Sequence, residues 1–173
     1  AMAEQKHRDE LINAYDNTIR NVDHALYSII EVLRQQPEAC TAMIYASDHG
    51  EDIFDDERNR FLHASPTPTY WQLHVPLVVW MSDTYISTYP DKAASANRHR
   101  NNNVSSSRSL TPTIMDIAGI SYPGFQPAMA LSSESYTDTE RLYLTDYNEA
   151  TSLHSSGLKS SDFEMMQKHG ISQ

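Results

Sequence analysis

The strongest constraint in the sequence is a junction. The apolar run Thr41-Ala42-Met43-Ile44-Tyr45-Ala46 passes without interruption into the polar cluster Ser47-Asp48-His49-Gly50-Glu51. A short run with no polar–apolar alternation reads as a strand buried on both faces of a parallel sheet. A helical pattern precedes it. Between residues 4 and 36 apolar side chains recur at Leu11, Tyr15, Ile19, Val22, Leu26, Ile29, Ile30 and Leu33, in steps of three and four, and Pro37 closes the pattern. Lys6, Arg8, Asp9, Glu10 and Arg20 supply its solvated face, so it reads as a long packing helix. Helix, buried strand, then a polar cluster at the strand's carboxyl end is α/β order, and ligands of open α/β sheets bind at that end.

The rest of the chain continues the theme. Residues 51–70 read as a polar loop, followed by a second buried strand over Val75-Pro76-Leu77-Val78-Val79-Trp80-Met81, with Pro76 near its start, where a missing amide donor is tolerated. Residues 84–107, rich in Asn and Ser, read as a long mobile surface connection. A helix then opens at Ser109 or Thr111, with Pro112 in its first turn and Gly119 as its stop. Arg141-Leu142-Tyr143-Leu144-Thr145 reads as a last short strand. Residues 4–150 form the expected folded unit, and beyond Gly157 the tail, 151–173, is expected to be poorly ordered.

Composition sets outer limits. With 173 residues the chain is one domain or a large piece of one. The opening Ala1-Met2-Ala3 reads as a cloning remnant, and the chain as an excised fragment. Lys and Arg total 13 against 23 Asp and Glu, a net charge of −10. That balance repels phosphate backbones and excludes nucleic-acid binding through a basic face. A bound divalent metal inverts the local field and turns an acidic cleft into a phosphate site. No stretch approaches the ~18 apolar residues of a membrane span. Cys40 is the single cysteine; it reads as a buried small hydrophobe.

Asp48 and His49 carry the chemistry. Neighbours on a regular strand point to opposite faces, so the two converge only where the strand has broken into a turn, which Gly50 permits. Carboxylate oxygen and imidazole nitrogen together suit Zn²⁺, at roughly 2.0–2.2 Å per ligand. Glu51 is a further ligand or an acceptor that orients an imidazole. His63 and His74 lie within reach of the same strand ends. On spacing alone the alternative stays open: Asp48 caps a helix and His49 packs.

Four motifs, in this order, resemble the C-terminal half of bacterial phosphoethanolamine transferases, members of the alkaline phosphatase and sulfatase superfamily that include enzymes modifying lipid A. They are Tyr15-Asp16-Asn17-Thr18-Ile19 followed by Asp23, Ser47-Asp48-His49-Gly50-Glu51, Leu62-His63 with Pro66, and His74-Val75-Pro76-Leu77. The resemblance covers about residues 10–120. It implies a partial alkaline-phosphatase-like α/β/α sandwich with a mostly parallel central sheet. Asp48 and His49 match the pair that binds the catalytic zinc. His63 matches a histidine at the reacting phosphoryl group, credited with substrate contact, a second metal or proton transfer to the leaving group. Glu51 takes a supporting position behind the ligands. Tyr15 to Thr18 match a packing motif. Ala64 departs from the family's usual glycine, and the acidic loop from Glu51 to His63 is longer than usual. His74 is either substrate-facing or a strand-edge histidine satisfied by backbone.

The resemblance implies more than these residues hold. The family's nucleophilic threonine, a further metal-binding glutamate and the membrane spans lie upstream of the Tyr15 motif. Thr41, Thr67, Thr69 and Thr111 lack that context, so no nucleophile is assigned. The intact enzyme would move phosphoethanolamine from phosphatidylethanolamine to threonine and then to lipid A or another envelope glycan. It would be anchored in the bacterial inner membrane by upstream spans, with its catalytic domain in the periplasm. Asp52, Asp55, Asp56 and Glu57 would either attract the ethanolamine cation or simply form a solvated loop, the second being favoured. This chain alone is expected to be soluble, inactive and a weak zinc binder. Two rivals remain: a sulfatase or phosphodiesterase of the same superfamily, and a non-catalytic packing module. Cys40-Thr41-Ala42 does not fit the Cys/Ser-x-Pro-x-Arg context a sulfatase needs.

Overall fold

In a computed structural model, residues 4–63, 67–145 and 147–171 are described. Ala1-Met2-Ala3, Ala64 and Pro66, singled out above, lie outside them. The chain runs through α1 (Arg8–Arg34), β1 (Ala42–Ala46), β2 (Asp52–Ile53), β3 (Phe61–Leu62), α2 (Tyr70–Leu73) and β4 (Leu77–Met81). Then follow α3 (Asp83–Thr88), α4 (Pro90–Arg98), α5 (Ser106–Ile117), β5 (Leu142–Leu144), β6 (Ala150–Ser152) and α6 (Ser160–Lys168). Helix and strand content is that of an α/β fold.

β1 and β4 form the central ladder, with Ala42 opposite Met81 and Ala46 opposite Leu77. Their pairing is antiparallel, where the apolar runs suggested parallel neighbours. A continuous apolar run reports burial on both faces and carries no information about the direction of its partner. The five residues of β1 are each half-buried. β2 and β3 make a two-residue hairpin, and β5 pairs with β6.

The long helix forms where its period placed it, yet none of its residues is buried. Ile19, Val22 and Ile29 of the apolar stripe are 52%, 38% and 48% exposed. The buried core lies elsewhere, around Tyr70, Leu153 and Met166, with Trp71, Tyr143 and Phe163 packed on it. Two expectations are overturned by that core and its surroundings. The tail beyond Gly157 folds into α6, which buries Asp162 and Met166. The Asn/Ser-rich connection folds into α3 and α4, anchored by buried Tyr85 and Ser95. Ser82 caps α3 by accepting from the Tyr85 amide, and Pro90 opens α4. α5 begins at Ser106, three to five residues earlier than expected, leaving Pro112 buried inside the helix. Gly119 ends it at φ +69°, a conformation glycine adopts without steric penalty. Cys40 is exposed, not buried. Among the described residues no helix is long and apolar enough to cross a membrane.

Candidate metal centre

β1 ends at Ala46, and the chain turns at once. The Ser47 hydroxyl donates to the His49 carbonyl at 2.9 Å, and Asp48 Oδ1 accepts from the His49 amide at 3.0 Å. This local turn brings consecutive side chains to one side, with Asp48 Oδ2 3.6 Å from His49 Nε2. His49 Nδ1 lies 3.1 Å from the Gly50 carbonyl. A carbonyl only accepts, so this bond needs a proton on Nδ1 and leaves Nε2, the nitrogen facing Asp48, with its lone pair.

Gly50 serves the turn by close approach. Its amide donates to the Gln72 carbonyl at 2.9 Å. A Cβ there would stand 2.0 Å from the Trp71 carbonyl oxygen. Its φ is not positive, so the reason for glycine is space, and not the freedom to turn that the sequence suggested.

The β2–β3 hairpin supplies the other two groups. Its register pairs Asp52 with Leu62, so Glu51 and His63 flank the paired end. Leu62 has φ +66°, a left-handed conformation that directs the chain out of the strand just before His63. Glu51 bridges to His63 Nδ1 at 2.9 and 3.1 Å through its two oxygens. The His49 and His63 rings lie with centroids 3.7 Å apart. Donor atoms of His49, Glu51 and His63 all fall within 4.8 Å of one another. Two imidazoles and a carboxylate at that spacing form a donor set suited to zinc. Glu51 is 17% exposed, His63 48% and Asp48 86%, so the cluster opens to solvent on the Asp48 and His63 side. Tyr15 joins from α1: burial first, then the neighbouring charge of Glu51, pushes its phenol above the ordinary value.

The remaining sequence candidates divide. His74 is not in the cluster; its Nδ1 bonds the Tyr70 hydroxyl at 2.7 Å. It does line, with Asp48, a cavity of about 1170 Å³ walled by Leu77, Val79 and Met81. The acidic loop is not a solvated run. Asp52 is 3% exposed and accepts from Thr69 Oγ1 at 2.8 Å and Gln72 Nε2 at 2.5 Å. Asp55 accepts from the Ile53 amide and Arg8, and Asp56 is paired with Arg58. Glu57 is exposed, with the Lys159 ammonium 3.8 Å away. Sequence reasoning missed Thr69 and Gln72, although Thr69 carries a recognisable helix-cap signal for α2.

Comparison with known proteins bears on the family and the fold. The sulfatase family pattern matches residues 2–120. Phosphoethanolamine transferase EptA of Salmonella typhimurium is 31% identical over 124 residues, covering 70% of this chain and 22% of that protein. Kdo(2)-lipid A phosphoethanolamine 7''-transferase of Escherichia coli is 34% identical over 119 residues, covering 66% of this chain and 20% of the relative. The chain thus spans about a fifth of the length of these relatives. The crystal structure of the C-terminal periplasmic domain of EcEptC from Escherichia coli, in complex with Zn, superposes with a TM-score of 0.70 at 24% identity, over 90% of this chain and 43% of that one. The fold is therefore that of the periplasmic domain, and the chain belongs to the sulfatase family.

Proposed function

We propose that this chain forms the C-terminal part of the catalytic domain of a zinc-dependent phosphoethanolamine transferase. The observation that carries the reading is the convergence of His49, Glu51 and His63 at the carboxyl end of β1, with Asp48 beside His49. In this reading Asp48 and His49 hold the zinc, His49 through the Nε2 that its Gly50 bond leaves unprotonated. Glu51 accepts from His63 Nδ1 and thereby orients that ring and fixes its tautomer. Zinc, when bound, lowers the pKa of a hydroxyl nucleophile and polarises a phosphoryl oxygen.

With Nδ1–H bonded to Glu51, His63 presents Nε2 toward the reacting group; its doubly protonated imidazolium form gives the Nε2 proton to the departing alkoxide and is left as the Nδ1–H tautomer. Its exposure suits a group that meets substrate. The nucleophile is supplied from outside this chain, so the chain by itself has no transferase activity. In this reading His74 and the cavity it shares with Asp48 would contact the lipid substrate. Phosphatidylethanolamine is the proposed donor and lipid A or a related envelope glycan the acceptor, on the periplasmic side of the inner membrane.

Titration of this chain with zinc, followed by calorimetry, tests the site. One saturable equivalent is expected, with weaker binding than a closed four-ligand site because only part of the ligand set is present. His49→Ala should abolish it. Absence of any binding, or binding untouched by His49→Ala, would overturn the reading in favour of a packing module. In the longer enzyme, His63→Ala should lower transfer by about 10²–10⁴-fold, the range of general acid catalysis, with zinc content retained.

A further inference from the structure

Besides the direct bonds from Thr69 and Gln72 to Asp52, a second buried carboxylate, far along the chain, links the two arms of the candidate centre. Asp162, in the first turn of α6, is 1% exposed. Arg58, in the turn of the β2–β3 hairpin and 5% exposed at its side chain, forks onto it: Nη1 to Oδ2 and Nη2 to Oδ1, each 2.7 Å. The same Oδ1 accepts from the Tyr70 amide at 2.8 Å, and Oδ2 from the Lys159 amide at 2.8 Å. Four donors therefore converge on one carboxylate, two from the hairpin, one from α2 and one from α6 itself.

Each attachment leads to a residue of the His49–Glu51–His63 cluster. The hairpin turn is closed by the Phe54 amide on the Arg60 carbonyl at 2.8 Å, and its strands end at Glu51 and His63. α2 holds the other side. Thr69 and Gln72 bind the buried Asp52, next to Glu51, while the Gln72 carbonyl takes the Gly50 amide, next to His49. Asp52 ties the hairpin to α2 at the paired end, and the Arg58–Asp162–Tyr70 junction ties its turn to the start of α2, so the two contacts together hold the hairpin against α2.

We propose that Asp162 is a positioning residue for the metal centre: by clamping Arg58 to the start of α2 it sets the spacing of His49, Glu51 and His63. The inference deepens the reading above, and Asp162 lies outside the matched family region, residues 2–120. The junction favours a carboxylate over any neutral isostere. An asparagine keeps the shape but offers one accepting oxygen to four donors, leaving the buried guanidinium incompletely paired.

The test compares Asp162→Asn with Met166→Ala, a change in the same helix at a core residue 3% exposed. Two readouts are taken on this chain: the ring ¹H–¹³C signals of His49 and His63 without metal, and the zinc dissociation constant. Asp162→Asn is expected to move the His49 and His63 signals, to leave those of His24 and His99 in place, and to weaken zinc binding by about 10-fold or more, as loss of support behind a ligand does. Met166→Ala should lower Tm and leave both readouts unchanged. Unmoved ring signals in Asp162→Asn, or equal movement in Met166→Ala, would overturn the proposal. Should Asp162→Asn fail to fold, Arg58→Lys keeps the charge but loses the fork, and the same shifts are expected; their absence would count equally against it. Because the ring signals need no zinc, a chain that binds no metal but shows them shifting would refute the metal reading and support the clamp.

Discussion

The carbonyl oxygen of Trp71 occupies the space beside Gly50 so closely that a Cβ on residue 50 would lie 2.0 Å from it. This contact fixes how near α2 comes to the metal-centre turn. A side chain cannot be admitted without moving α2 backbone, since the obstructing atom is not the end of a flexible group.

Gly50→Ala is therefore expected to destabilise the fold by about 1–3 kcal/mol, the usual result of forced overpacking. It should weaken zinc binding in step, because the Gly50–Gln72 hydrogen bond ties His49 to α2. Chemical denaturation and zinc calorimetry on the same variant check both effects.

The acidic loop should split under mutation. Asp52→Ala removes the acceptor of two buried donors and is expected to lose about 1–3 kcal/mol or more. Glu57→Ala, at an exposed position, should stay within about 0.5 kcal/mol of wild type. Equal, small effects at both positions would show that Asp52 is as solvated as the sequence suggested.

Acid should undo the clamp. Burial pushes the Asp162 carboxyl up, but the Arg58 bonds and the Tyr70 and Lys159 amides outweigh it and hold the group below its ordinary value. Asp56 is lowered as well, chiefly by its bonds from Arg58. A carboxylate depressed in the folded state adds stability above its unfolded pKa of about 4, and that stability fades as pH falls through the folded value. Thermal melts should hold steady from neutral pH to about 5 at these two sites and decline below about 4. Asp162→Asn should flatten that decline.

Alkali should act through two phenols. Burial, then the charge of Asp116, pushes Tyr85 up to about 12, with its hydroxyl donating to the Ile117 carbonyl at 2.8 Å. Tyr136 is likewise pushed up to about 12, by burial and then Asp138. A raised folded pKa contributes stability below the unfolded value of about 10 that is lost as pH rises toward the folded one. Ultraviolet titration should show Tyr85 and Tyr136 among the phenols that ionise late, and Tyr85→Phe should remove one of them.

Cys40 should react with a thiol reagent in the native state, without denaturant, because it is exposed. A protected thiol would place it where its hydrophobic neighbours in sequence suggested.

Much of the local structure was legible. The three-and-four spacing from Leu11 to Leu33 announced α1, and the apolar runs announced β1 and β4 to within two residues. Asp48, His49, Glu51 and His63 stood out by chemistry, motif order and resemblance. Less visible were α3 and α4, which lie in the same connection as the Asn101–Asn103 and Ser105–Ser107 cluster; the Ser82 cap and Pro90 were the local signals available. The clamp had no such signal. Arg58 and Asp162 are 104 positions apart, and each alone reads as an ordinary charged surface residue.

The sequence by itself determined that α1, β1, β4 and α5 form and which residue types could bind a metal, because periodicity, caps and donor chemistry act between near neighbours. Only the tertiary structure decided that β4 runs antiparallel to β1, that Asp52 and Asp162 are buried, and that His63 returns to His49. Those outcomes depend on contacts between distant segments, where many pairings satisfy the same local preferences and burial of the whole selects one.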